Sequence, residues 1–286
     1  MKSAGKARNN GLYRHIRTSK EIIRNLLNDC MNTFEFSAIY WDLYLNLEAD
    51  LIKMSDYIAF CDENKPTFSI ELLKQLLAIG SEFDIVCKSY CEFLGELSKI
   101  ENRVQDKHKD ILFYAAVFSQ EKPSIFEEVV QVKVAPDYFT MPMDTWKCNP
   151  QEHRNPKLNC APEWWWAYTQ NKHNRNGVIS EYAGQEQPLG EKTYKSQYIG
   201  KQLFQLASLE HVIDALASLF ILEMYYYKDL ATVHNIDVTI PQKPSRMFYL
   251  LDWETHIVPM YDVVSVNSTL KFERKPSKKD LEIFTK

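Results

Sequence analysis

The chain has 286 residues, 45% of them hydrophobic and 13% aromatic, enough to bury a substantial core as one large domain or one domain with an appendage. Glycine (8) and proline (12) are scarce and no run of about 18 apolar residues occurs, which excludes collagen-like chains and predicts a soluble protein with no membrane partner. A net charge of −4 excludes a surface that grips nucleic acid mainly through its overall field, so any such contact needs a local basic patch.

Residues 1–20 carry Lys2, Lys6, Arg8, Arg14, Arg17 and Lys20 with no acid, and read as a solvated basic arm. The arm lacks the apolar stretch of a secretory signal, and a cytoplasmic location is expected. The six cysteines show neither a Cys-x-x-Cys pair nor metal-ligand spacing with histidine. Cys87 and Cys91 read as buried free thiols, in keeping with a reducing compartment.

The fold class expected is mainly α: an antiparallel bundle of four to five long helices over residues 21–235, with a small irregular or β insertion at 120–160. An extended C-terminal segment, 236–286, packs on the bundle. Between Phe36 and Ile58, Ile39, Leu43, Leu47, Leu51 and Met54 recur at helical spacing, and a turn-like cluster at Asp62–Pro66 ends the helix. Ser69 reads as the N-cap of a second helix carrying Ile70, Leu73, Leu77, Phe83, Val86, Cys87, Tyr90, Leu94 and Leu97. The short loop between the two predicts an antiparallel pair. Val129–Val134 alternates like a strand within the insertion.

A third helix opens at Pro162 with Glu163 in its first turn and is expected to end at Asn176-Gly177, where glycine can take the left-handed cap. The fourth carries Leu203, Leu206, Val212, Ile213, Leu216, Leu219, Phe220 and Met224. Met247–Leu251 and Val263–Val266 then read as short strands or an extended wrap.

Chemically capable residues concentrate at the third helix, where Trp164-Trp165-Trp166 is followed by Tyr168, Asn171 and Lys172-His173-Asn174-Arg175. Histidine exchanges a proton near neutral pH, and arginine donates paired hydrogen bonds to phosphate oxygens. The set therefore suits cleavage of RNA by its own 2′-hydroxyl, with His173 as acid/base and Lys172 and Arg175 on the phosphate. No metal or cofactor is required. The competing reading is that cations in a last helical turn merely answer the helix dipole. The tryptophans likewise read as core anchors or as a platform for a base, with Trp165, Tyr168 and Asn171 the candidate substrate contacts.

On the second helix, Glu82 is placed to orient His173 if the two helices pack together, with Lys88 nearby as a further contact; the competing reading is a surface acid. Arg103 and His108 form a second candidate motif, although a pattern so short arises readily from composition and also reads as a solvated charged face. No phosphate-binding glycine loop, His-Glu-x-x-His, Gly-x-Ser-x-Gly or dinucleotide fingerprint is present, so kinase, zinc protease, α/β-hydrolase and dehydrogenase chemistries lack their residues.

Several segments together carry a family resemblance: Trp41-Asp42-Leu43 and Glu48-Ala49-Asp50-Leu51, Ser81–Asp84 with Lys88, and Trp164-Trp165-x-x-Tyr168-x-x-x-Lys172-His173-x-Arg175, followed by an apolar helix. Over about residues 36–230 the chain resembles poorly characterised bacterial members of the HEPN-like helical superfamily. The resemblance implies a helical bundle that pairs into a homodimer, a candidate metal-independent endoribonuclease site at the pair's interface, and a toxin or anti-phage role with a protein partner from the same system. Active members carry arginine four to six residues ahead of histidine, whereas this helix reads histidine before arginine. A non-catalytic interaction or assembly module is the alternative.

Overall fold

The computed structural model describes residues 31–98, 110–146, 160–179, 200–237, 240–251 and 253. The chain enters at Asn32, whose side chain accepts from Phe34 and Glu35 N–H while Glu35 answers the Asn32 N–H, a capping box that starts α1 (Thr33–Phe36). A π-helical turn (Ser37–Trp41) leads into α2 (Asp42–Met54). The extra residue of that turn rotates the buried face relative to the expected one. Phe36, Trp41, Tyr44, Leu47 and Leu51 point inward, whereas Ile39 and Leu43, expected on the apolar side, are 57% and 41% exposed.

Ser69 caps α3 (Ile70–Ser98) through its hydroxyl, which accepts from Leu72 N–H at 3.1 Å. Helix α3 lies antiparallel to the first helical stretch, as expected: Tyr40, early in the first, meets Ser89, late in the second, at 2.9 Å. Asp110 then caps α4 (Ile111–Glu121), a helix the sequence reading does not anticipate. The insertion does contain its strand, β1 (Val130–Val132). This pairs antiparallel with β2 (Phe139–Thr140) on one side and β3 (Phe248–Leu250) on the other.

Helix α5 (Glu163–His173) is followed, after a 3-10 turn over Leu203–Leu206, by α6 (Leu209–Val233), which Ser208 caps. Helix α6 is the core of the molecule, buried along most of its length. It runs parallel to α3: Phe68 bridges to Ser208 at their starts, and Tyr90 stacks on Tyr226 at 4.7 Å further along. The result is a mainly α-helical bundle with a three-stranded sheet laid against it. Among the described residues no helix is long and apolar enough to cross a membrane. Cys61, Cys87 and Cys91 form no disulfide, and the last two are buried as expected. Cys160, by contrast, is disulfide-bonded, which departs from the reading of reduced thiols.

Candidate functional site

Three consecutive tryptophans point about 100° apart around a helix, so burying all of them requires neighbours on most sides. Helix α5 has these. Trp164, Trp165, Trp166 and Tyr168 are 1%, 9%, 5% and 3% exposed. Trp164 stands edge-on to Phe83 of α3 at 4.8 Å and donates its indole N–H to Ser218 Oγ of α6 at 2.8 Å. Trp165 packs on Tyr168 at 5.0 Å. Asn171, 1% exposed, donates to the Ala167 and Leu203 carbonyls at 2.9 and 3.0 Å and so ties α5 to the turn that leads into α6. The candidate substrate contacts Trp165, Tyr168 and Asn171 therefore belong to the packing of the helix, while Lys88 is exposed on α3.

The other end of α5 is built differently. Lys172, His173 and Arg175 are all exposed. Lys172 Nζ donates to Tyr168 Oη at 3.1 Å, one helical turn back. The side chains of His173 and Arg175 make no hydrogen bond or ion pair among the described residues, and none of the three side chains bonds a carbonyl of the last turn. The helix ends at His173 rather than at Asn176-Gly177. Asn174 leaves helical geometry (φ −147, ψ 45), and Gly177 does not take the left-handed conformation. A Cβ at position 177 would lie 2.7 Å from Leu203 Cδ1, a side-chain tip that can shift, and 3.2 Å from the Asn174 carbonyl oxygen. Because the chain departs from the helix between His173 and Arg175, the geometry that would hold those two side chains on opposite sides is gone.

Glu82 does not join this group. It is 8% exposed on α3, and its charge acts on Glu223 of α6; burial raises its pKa. The expectation that Glu82 orients His173 is not met among the contacts of either residue, because the buried face of α3 carries Glu82 toward α6. Arg103 and His108 lie outside the described residues.

Two polar groupings have no counterpart in the sequence reading. In the first, Glu48 of α2 accepts from the hydroxyls of Tyr44 (2.8 Å) and Ser245 and from the N–H groups of Arg246 (3.0 Å) and Met247 (3.1 Å). One carboxylate thereby seats the segment that leads into β3. The second lies where α5 and α6 begin. The His211 ring, 2% exposed, has Nδ1 2.6 Å from the Leu206 carbonyl, so that nitrogen is the donor, and Nε2 lies 4.0 Å from Glu163. One turn on, Asp214 accepts from the Thr140 hydroxyl at 2.6 Å. Burial above all, then the charges of Glu210 and Glu163, push the Asp214 carboxyl up to about 7 against the pull of Thr140 and Lys65. The signal for both groupings was present in the sequence as isolated polar residues inside apolar helices, Glu48 beside Leu47 and His211 beside Val212.

Among the described residues no group of three or more histidine, cysteine or acidic side chains is disposed to hold a metal ion. The fold and site define a helical-bundle protein that presents a short cationic helix end on an aromatic seat. Comparison with protein-family models, curated proteins and solved structures finds no match to this chain.

Proposed function

We propose that the protein is a HEPN-like helical module that contacts RNA through the phosphate backbone, with Lys172, His173 and Arg175 as the contact residues. The observation that carries this reading is the contrast along α5: its aromatic half is buried, while its last residues are exposed, and His173 and Arg175 have no internal partner. Lys172 is tied back to Tyr168, whereas His173 and Arg175 are held out beyond it on a rigid support. Phosphate contact needs only Lys172 and Arg175, and the release of Asn174 from the helix allows His173 to join them.

Metal-independent cleavage is the second reading, favoured by the exposed imidazole of His173, which could serve as acid or base. It requires a group to orient the imidazole in place of Glu82, and a second copy of the chain is the candidate supplier. The HEPN-like resemblance carries the wider context: a homodimer acting in a toxin or anti-phage system, with a protein partner from that system.

The test measures binding of labelled single-stranded RNA to the purified full chain in EDTA at several salt concentrations, with cleavage read in the same samples. Lys172→Ala/Arg175→Ala is expected to weaken binding and to reduce the salt slope by about 1.4, the value for two lost phosphate contacts. Unchanged affinity and slope in that variant, or no binding by the wild type, overturns the reading. Cleavage that disappears in His173→Ala establishes the second.

A further inference from the structure

Buried charged side chains ordinarily come with partners, as Glu48 does with its four donors. Glu223 departs from that rule. It is 0% exposed in the middle of α6, and neither carboxyl oxygen has a hydrogen-bond partner. On α3, Gln75, Ile79, Glu82 and Val86 follow one another at helical spacing and are all buried, so they share the inward face. Gln75 Oε1 on that face is also unpartnered.

Among the described residues, the titratable groups that couple to Glu223 are Glu82 from α3 and Tyr44 from α2; neither is a cation. The Tyr44 hydroxyl is already given to Glu48 and Ser245. An ionised, unpaired carboxylate in such a place is more costly than a protonated one.

We propose that Glu82 and Glu223 form a proton-holding carboxyl pair through which the packing of α3 on α6 responds to pH. With the proton bound, the seam closes. With it lost, two like charges face each other between the helices and drive them apart. The movement reaches α5, because Gly80, two residues from Glu82, lies against the Tyr168 ring, and Ser218, five residues from Glu223, holds the Trp164 indole.

The electrostatics run in the same direction. Burial, then the charge of Glu82, raise the Glu223 pKa well above 4.5, and burial raises that of Glu82. In the unfolded chain both carboxyls lose their protons near the ordinary value, whereas the folded chain keeps protons above it. Folding therefore takes up protons, and stability falls as pH rises above about 4.5.

The experiment is urea unfolding of the full chain, followed by tryptophan fluorescence between about pH 5 and about pH 8.5, for wild type, Glu223→Gln and Glu82→Gln. The wild-type unfolding constant is expected to rise with pH by up to about tenfold per pH unit for one proton. Glu223→Gln is expected to be the more stable protein at the alkaline end and to have a shallower slope. Histidine and Asp214 titrations are common to both proteins and cancel in the difference. Parallel slopes for wild type and Glu223→Gln, or a Glu223→Gln less stable than wild type at every pH, overturn the proposal. Should Glu223→Gln fail to fold, Glu82→Gln carries the same test: a shallower slope supports the pair and an unchanged slope overturns it.

Discussion

Gly80 of α3 and Tyr168 of α5 occupy one contact: a Cβ added to Gly80 would lie 2.4 Å from Tyr168 Cδ2 and 2.5 Å from Cγ. The absence of a side chain at position 80 is what lets the tyrosine ring pack so closely against α3. Gly80→Ala should therefore destabilise the protein by about 1–3 kcal/mol, although alanine is the better helix former, because overpacking outweighs propensity. In a Tyr168→Ala background the same substitution should lose that penalty. Denaturant midpoints for the four proteins of this cycle measure the coupling, and additive effects would show that the contact carries no strain on substitution.

Glu48 holds the Ser245–Met247 segment through three donors from that segment. Glu48→Leu leaves the Ser245 hydroxyl and the Met247 N–H buried without an acceptor and should cost at least about 2 kcal/mol, at roughly 1–3 kcal/mol for each orphaned group. Hydrogen exchange should show the loss first at β3 and its partner β1, before α3 and α6 are affected.

Asp214 links the sheet to α6 through Thr140. Its carboxyl is raised from 3.8 to about 7, so the folded state holds a proton that the unfolded chain gives up, and stability falls as pH rises between those values. The elevation corresponds to at most about 4 kcal/mol, and partial solvent access reduces the expected effect to roughly 1–2 kcal/mol. Asp214→Asn keeps an oxygen to accept from Thr140 and removes the titration. It should be more stable than wild type near pH 8 and equal to it near about pH 4. Equal stability of the two proteins at both pH values would show that the carboxyl titrates normally.

Lys172, His173 and Arg175 are exposed, so replacing any one by alanine should change stability by no more than about 1 kcal/mol, the scale of a cation at a helix C-terminus. Trp164→Ala on the same helix should cost about 3–5 kcal/mol through the cavity and the orphaned Ser218 hydroxyl. Thermal melts of these variants separate the seat of α5 from its exposed end. A large loss in Arg175→Ala would mean that the residue serves the fold.

Most of the bundle was legible in the pattern of apolar residues. The period of about 3.6 in α3 and α6 reports burial of one face, and Ser69 announces a helix start through the hydrogen bond that its hydroxyl makes. The rotated face of the first helix was not legible, because a π turn adds one residue to the spacing without a mark in the sequence. Nor was the end of α5, where Gly177 suggests a left-handed cap that the chain does not form.

By itself the sequence determined that this protein is a mainly helical bundle, that the tryptophan segment is a helix entered at Pro162, and that Lys172, His173 and Arg175 cluster at its end. These are consequences of local spacing and backbone chemistry, which act over a few residues. Only the tertiary structure decided that all three tryptophans are buried while Lys172, His173 and Arg175 remain exposed, that Glu82 is buried on the inward face of α3 where its charge acts on Glu223, and that Glu48 seats β3. Each of those outcomes depends on which helix faces come together across the core, and burial, desolvation and partner choice arise from that meeting of distant segments.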